Sequence, residues 1–278
     1  MMSRWKKILL FLFTALALFI WYAVFTIGAQ GEIEVTFFDV GQGDAALIQT
    51  NDGTQILIDG GPGRTILSKL GEAMPYWDRA IELVILTHPH ADHLDGLIEV
   101  LKNYGVKTVL DSGAHYQTAD YAEWKRLLEE KQIPIIVAKA GQRIHFSSSA
   151  FLDVLAPLES MANKPLKNIH DAVVVMRLSH RDNKNFYSVM FTGDMERRLE
   201  FELVSRGMPL NTDVLKIGHH GSKTSSSEYF LKAVSPKIAI ISVGGKNRYG
   251  HPHPSVLDRL ERLGIQIRRT DIEGDIRL

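Results

Sequence analysis

Hydrophobic and polar positions divide this chain into one long apolar run at the N-terminus and a series of short alternating segments behind it. Ile8 to Ile27 carries no charge and follows Arg4, Lys6 and Lys7. A run of that length spans a bilayer core as a helix, with Trp5, Trp21 and Tyr22 placed to sit near the interfaces. A cleaved signal peptide has a shorter apolar region, roughly 7–15 residues, and Gly28-Ala29-Gln30-Gly31 makes a poor cleavage site. Residues 1–30 are therefore expected to be an uncleaved single-pass anchor, with a cleaved signal sequence and a secreted product as the competing reading. The basic flank stays inside, which puts residues 31–278 outside the cytoplasm.

Beyond the anchor the pattern predicts one α/β domain over residues 31–278. Glu32 to Phe38, Ala45 to Thr50 and Gln55 to Asp59 are short apolar strands parted by Gly-rich turns, as in an antiparallel meander. Ile81 to Leu86 reads as a buried strand, and Leu94 to Tyr104 and Ala119 to Lys131 have helical spacing. Val106 to Leu110, Ile133 to Val137 and Phe151 to Leu155 return to strands. Ala172 to Leu178 and Tyr187 to Thr192 flank the turn Ser179 to Asn185 as a hairpin. Helices over 196–205, 226–234 and 254–263 then alternate with strands over 213–217 and 238–243, and segments 265–268 and 276–278 close the chain. Pro254 suits the first turn of its helix. Both halves share this mixed pattern without a convincing sequence repeat. Two packed sheets with helices outside is the arrangement that buries such faces.

Composition narrows the partners. The 278 residues are 45% hydrophobic, enough for a substantial core. Lys plus Arg equals Asp plus Glu at 32 each, so no global charge draws the chain to nucleic acid. It has no cysteine, which excludes disulfides and thiolate metal sites.

The chemistry concentrates in Thr87-His88-Pro89-His90-Ala91-Asp92-His93, just past the carboxyl end of a predicted strand. Imidazole and carboxylate together suit zinc, manganese or iron better than calcium or magnesium. His88 and His90, two apart in an extended segment, can converge on one ion, and Asp92 and His93 can reach a second. Two-metal sites recur in hydrolysis of phosphate and acyl bonds. Asp59 ends a strand where a carboxylate can hydrogen-bond a metal-bound imidazole from behind; a turn cap is its structural alternative. Asp194, in Phe191-Thr192-Gly193-Asp194, can bridge two cations. One imidazole of His219-His220 can complete the second ion's shell, while Ser222 and nearby backbone amides can hold an anion.

These residues in this order resemble the metallo-β-lactamase superfamily, and within it the extracellular hydrolase domain of the ComEC competence proteins. Asp39-Val40-Gly41-Gln42-Gly43-Asp44-Ala45 looks like that family's opening motif. Lys216 to Ser222, Tyr249-Gly250-His251-Pro252-His253-Pro254, and Arg269-Thr270-Asp271 with Gly274 resemble its later ones. The resemblance covers about residues 33 to 278. It implies a four-layer αβ/βα sandwich with a dinuclear centre, zinc or manganese, in the cleft between the sheets. By analogy His88 and His90 hold the first ion, Asp92 and His93 the second, Asp194 bridges, and His220, or alternatively His219, joins the second. Many members add a third histidine to the first ion from a mid-chain loop, and His170 is the candidate here. A large multispanning channel precedes the domain in ComEC proteins; only one span is predicted in this chain. No chemical role for Asp44 follows from the sequence.

The expected activity is hydrolysis by a water whose proton the two cations make easier to remove. Asp92 or Asp194 can take that proton, and His253 or Lys223 can stabilise the charged transition state or leaving group. Lys246 and Arg248 are either solvated loop residues or phosphate contacts, and His115, His145, His180 and His251 are read as surface or structural. The leading expectation is an extracytoplasmic phosphodiesterase or nuclease acting on DNA, an inference from resemblance. The alternatives are a phosphoester or phosphorylcholine hydrolase acting on cell-envelope polymers, and a non-catalytic, membrane-anchored partner of a separate DNA-uptake channel.

Overall fold

The computed structural model describes residues 3–27, 33–164, 166, 168–181 and 186–278. Arg4–Ile27 is a helix. Its Arg4–Tyr22 stretch is apolar and long enough to cross a membrane by length and composition, and none of it is buried in protein. The proposed cleavage segment 28–31, the start of the first strand at Glu32 and most of the turn 179–185 lie outside the described residues.

Two seven-stranded sheets, with a two-stranded ribbon of Ala80–Ile81 and Gly105–Val106, carry the remaining strands. From edge to edge the first runs Ile276–Arg277, Ile33–Phe37, Ala46–Thr50, Gln55–Ile58, Leu83–Ile85, Val109–Asp111 and Ile135–Val137. Its first four strands pair antiparallel and its last four parallel. The second runs Arg143–His145, Ala150–Ala156, Val175–Arg181, Phe186–Phe191, Val214–Lys216, Ile238–Ile241 and Gln266–Arg269, again antiparallel first and parallel after. The mixed pattern shared by the two halves is therefore a shared topology.

Side-chain alternation along the strands sorts three apolar layers. Leu47 and Leu57 turn outward onto Leu94, Leu97 and Trp124 of the covering helices. Their neighbours Ala46, Ile48, Ile56 and Ile58 turn inward, against Leu152, Met176, Leu178 and Val214 of the other sheet. Val175, Met190 and Leu215 then face the helices on the far side, with Phe230 and Leu260. Phe37 and Phe191 stack across the two sheets with ring centroids 5.6 Å apart, a pairing worth about 0.5–1.5 kcal/mol beyond the area it buries. The result is the four-layer αβ/βα sandwich.

Several elements differ from the expectation. Ile81 to Leu86 is broken into Ala80–Ile81 and Leu83–Ile85. Helix Thr65–Ala73, absent from the sequence reading, buries Ile66 and Leu70 after the loop Gly60-Gly61-Pro62-Gly63. A further strand at Arg143–His145 and a short helix at Thr270–Glu273 were also not expected.

The parallel halves aim their carboxyl ends at one edge of the sandwich, the usual place for a site in α/β sheets. Asp59, His88, Asp194 and His219 all follow such ends. Close backbone contact fixes their register. A Cβ on Gly96 would lie 1.9 Å from the Gly60 carbonyl oxygen, and one on Gly60 would lie 2.4 Å from the Leu97 nitrogen. Two glycines thus let helix Ala91–Asn103 lie directly against the turn that follows Asp59.

Candidate metal centre

His88, Pro89 and His90 leave their strand in a tight turn in which the His90 amide donates to the His88 carbonyl at 3.1 Å, and His90, at φ −79°, ψ 151°, is the cap before helix Ala91–Asn103. The turn folds the two imidazoles back toward one another. His88 Nε2 and His90 Nδ1 accordingly come within 3.2 Å of each other. Asp92 and His93 fall in the helix's first turn and turn toward the second group of side chains.

Asp194 stands between the two groups. Its Oδ2 lies 3.6 Å from His88 Nε2, and its Oδ1 lies 3.3 Å from His93 Nε2 and 3.5 Å from His220 Nε2. His220 Nε2 is also 3.2 Å from Asp92 Oδ2. Donor atoms of His88, His90, His170 and Asp194 all lie within 4.8 Å of one another, as do those of Asp92, His93 and His220. Two donor groups meet at one shared carboxylate.

Contacts on the far side of each ring aim these nitrogens. His93 Nδ1 donates to Asp59 Oδ2 at 2.8 Å. The same carboxylate accepts from the Thr87 amide at 2.8 Å and from the Thr87 hydroxyl at 2.7 Å. His88 Nδ1 lies 3.1 Å from that hydroxyl, and His220 Nδ1 donates to the Ser242 carbonyl at 3.0 Å. In these three rings the far nitrogen is occupied, which turns Nε2 into the centre, the arrangement metal-binding histidines use.

Backbone strain accompanies the placement. Asp59, His219 and His220 all have left-handed φ, at 56°, 50° and 53°. For residues with a Cβ this is uncommon and persists only where the surroundings impose it.

Asp44 proves to be part of the site. It is buried and ion-pairs with Lys216, itself 3% exposed. Asp44 Oδ1 lies 3.2 Å from His220 Nδ1, and its Oδ2 lies 3.8 Å from His93 Nδ1. Burial opposes its ionisation, but Lys216 and His220 outweigh it and hold the carboxyl at about 2. Burial likewise disfavours the Asp194 charge, and His220, His93 and His88 override it and keep Asp194 well below the usual carboxylate range. His220 is buried too, yet Asp194 and Asp44 raise it to about 10. His88 goes the other way, held well below its ordinary value by burial and by the His93 charge.

Other residues fall around the rim. His219 is half-buried, 3.6 Å from Asp194 Oδ2 through Nε2 and 3.6 Å from Glu196 Oε1 through Nδ1. His253 is set apart from the donor groups: its Nδ1 accepts from the Ser255 amide at 3.2 Å and caps helix Pro254–Arg262. It is His251 that packs on the cluster, its ring 5.8 Å from His219 and 6.5 Å from His220. Burial and those two neighbours depress His251 to about 4. Exposed Tyr249 stacks on His251, and Arg248 lies over Tyr249. Ser222 is buried and its hydroxyl pairs with Thr224 at 3.0 Å, while Lys223 and Lys246 are exposed.

A cation fits this donor set. His93 Nε2, Asp194 Oδ1 and the Nδ1 of His170 are buried without a hydrogen-bond partner, a costly state for polar atoms unless something else satisfies them. All three belong to the two donor groups.

A sequence profile of the Metallo-beta-lactamase superfamily matches residues 38–182. The chain belongs to the metallo-β-lactamase superfamily. Within it, the chain is similar to ComE operon protein 3 of Bacillus subtilis, 31% identical over 89% of this chain and 33% of that protein. It is also similar to Recombination protein 2 of Haemophilus influenzae, 34% identical over 88% of this chain and 28% of that protein. The chain thus spans about a third of the length of these relatives. Among solved structures, the metallo-β-lactamase fold protein YhfI from Bacillus subtilis aligns with a TM-score of 0.56 at 15% identity, over 89% of this chain and 99% of that one. That likeness bears on the fold. The chain is a metallo-β-lactamase-fold hydrolase with competence-protein homologues, and its donor groups lie where two divalent cations can be held.

Proposed function

We propose that this chain is a metal-dependent phosphodiesterase that cleaves DNA outside the cytoplasm. The observation that carries the hydrolytic part is Asp194, whose two oxygens face separate donor groups. His88, His90 and His170 hold one cation, Asp92, His93 and His220 hold the other, and Asp194 lies between them. His219 stands at the rim. When bound, two such ions polarise the scissile group and ease removal of a water proton at neutral pH.

The side chains supply the rest. Asp59, Thr87 and Ser242 orient His93, His88 and His220 through their far nitrogens. Asp92 is the partly exposed carboxylate of the centre, with 32% side-chain exposure against 2% for Asp194. It is held at about 2, where burial is outweighed by the hydrogen bond to His220. Its exposure, rather than its basicity, makes Asp92 the carboxylate placed to pass a proton to solvent. Phosphate is the substrate class that suits a centre flanked by Lys223 and Arg197. Imidazole-rich donor sets favour zinc, and the carboxylates admit manganese.

DNA enters through the relatives, two of which bear the names ComE operon protein 3 and Recombination protein 2. The N-terminal helix fits a membrane anchor, and Arg4, Lys6 and Lys7 on its leading flank support an extracytoplasmic hydrolase. Among the described residues one helix is long and apolar enough to cross a membrane, and one helix encloses no pore by itself.

The test uses the full chain in detergent, loaded in parallel with zinc and with manganese and given single- and double-stranded DNA. The expected result is metal-dependent degradation that disappears in Asp194→Asn. Intact DNA from protein holding two ions would overturn the nuclease reading, and hydrolysis of a phosphorylcholine ester by that same protein would move the substrate to envelope polymers.

A further inference from the structure

We infer that the open cleft beside the centre, walled by Glu196, Arg197, Lys223, Thr224, His253 and Ser255, binds a second phosphate of the strand being cleaved, so that the substrate is a chain of phosphodiesters. This rests on the phosphodiesterase reading above. The cleft has a volume of about 490 Å³, and it adjoins the centre through Glu196 and His219. Glu196 Oε1 lies 3.6 Å from His219 Nδ1, and His219 Nε2 lies 3.6 Å from Asp194 Oδ2. Two side chains separate it from the shared carboxylate.

Two of its wall cations are free of ion pairs. Among the described residues, neither Arg197 nor Lys223 has a carboxylate within ion-pair distance, although many of the chain's other Lys and Arg residues do. Arg198, on the same wall, is matched by Asp171 and Glu202. One Arg197 nitrogen donates to the Lys223 carbonyl at 2.7 Å, which holds the guanidinium in place against the loop. No further acceptor for it occurs among the described residues. The cleft's one carboxylate, Glu196, is turned to its boundary, accepting from the Thr224 hydroxyl at 2.8 Å and facing His219.

His253 adds a donor. Its Nδ1 accepts from the Ser255 amide and pairs with the Ser255 hydroxyl at 2.8 Å, so the ring proton resides on Nε2. A fixed guanidinium, an ammonium and an imidazole N–H around an open cleft match the acceptor oxygens of a phosphodiester. A substrate with a single phosphate would leave this cleft unused.

The experiment compares a tetranucleotide with a dinucleoside monophosphate, which has no second phosphate, using the metal-loaded full chain, Lys223→Gln and Arg197→Gln. Wild type is expected to show a lower KM for the tetranucleotide. In each variant that advantage shrinks about tenfold or more, the loss expected for a hydrogen bond to a charged group. Arg197→Lys, which keeps the charge, restores part of it, and melting curves confirm that each variant is folded. In parallel, anisotropy of a labelled oligonucleotide in EDTA reads binding without catalysis. There the slope of log affinity against log salt falls by about 0.7 per cation removed for a single strand. An unchanged length advantage and an unchanged salt slope would overturn the cleft while leaving the phosphodiesterase standing. A wild-type chain that neither binds the oligonucleotide nor cleaves either substrate would overturn both.

Discussion

Asp44 and Lys216 form a buried ion pair directly behind the donor groups, with Asp44 Oδ1 3.2 Å from His220 Nδ1. Lys216 also donates to the Gly193 carbonyl at 3.3 Å, next to Asp194. The pair therefore joins the first sheet's opening turn to the Asp194 loop and the His220 loop of the second. Removing one partner strands a buried charge, which costs about 3–5 kcal/mol, whereas replacing both by neutral groups costs far less. Lys216→Met is expected to lower the unfolding free energy by that amount, and Asp44→Asn combined with Lys216→Met to recover most of it. Denaturant unfolding of the four proteins checks this; losses that simply add would contradict it.

His170 and His251 both touch the cluster, but in different ways. His170 presents an unpartnered buried Nδ1 within the His88, His90 and Asp194 group. His251 packs ring-on-ring from outside it. His170→Ala is expected to lower the bound-metal count toward one per chain, and His251→Ala to leave it at two. Elemental analysis after dialysis separates them, and equal counts in the two variants would contradict the assignment.

Without metal, the pH dependence of stability has a defined sign. His220 titrates at about 10 in the folded chain, raised by Asp194 and Asp44 against the opposing effect of burial, and at about 6.5 when unfolded. A raised folded value stabilises fully below about 6.5 and is lost as pH climbs toward 10. The metal-free chain is expected to melt at progressively lower temperature from pH 7 to pH 10. Metal displaces that proton, so the loaded chain should show a flatter profile over the same window. A flat metal-free profile would contradict the described electrostatics.

Gly96 tests the packing that brings His93 to Asp59. Gly96→Ala places a methyl 1.9 Å from the Gly60 carbonyl oxygen, which only a backbone shift can relieve. The expected cost is at the upper end of about 1–3 kcal/mol, with weaker metal binding because the His93–Asp59 contact moves with the helix. A thermal melt and a metal titration on the same sample check both.

The parts of this account legible in the sequence are those encoded locally. His88, His90, Asp92 and His93 lie within six positions, so strand-then-helix geometry alone predicts that they converge. The strand-and-helix alternation was readable because one face of each element is apolar. Asp44 was opaque because its partners, Lys216 and His220, sit on the other sheet and no local spacing links them. His251 and His253 occupy the same Gly- and Pro-rich loop, and only the tertiary path of that loop decides which ring meets the cluster. Helix Thr65–Ala73 was hidden by the Gly60-to-Gly63 stretch, which reads as an extended loop, and by having only Ile66 and Leu70 as buried anchors.

The central claim is that Asp194 joins two cations held by this chain's own side chains. Anomalous diffraction from crystals of the full chain, collected at the zinc and manganese edges after loading, tests it most directly. The expected result is two peaks on either side of Asp194, about 3.5–4 Å apart, one among His88, His90 and His170 and the other among Asp92, His93 and His220. A single peak, or metal bound away from Asp194, would contradict it.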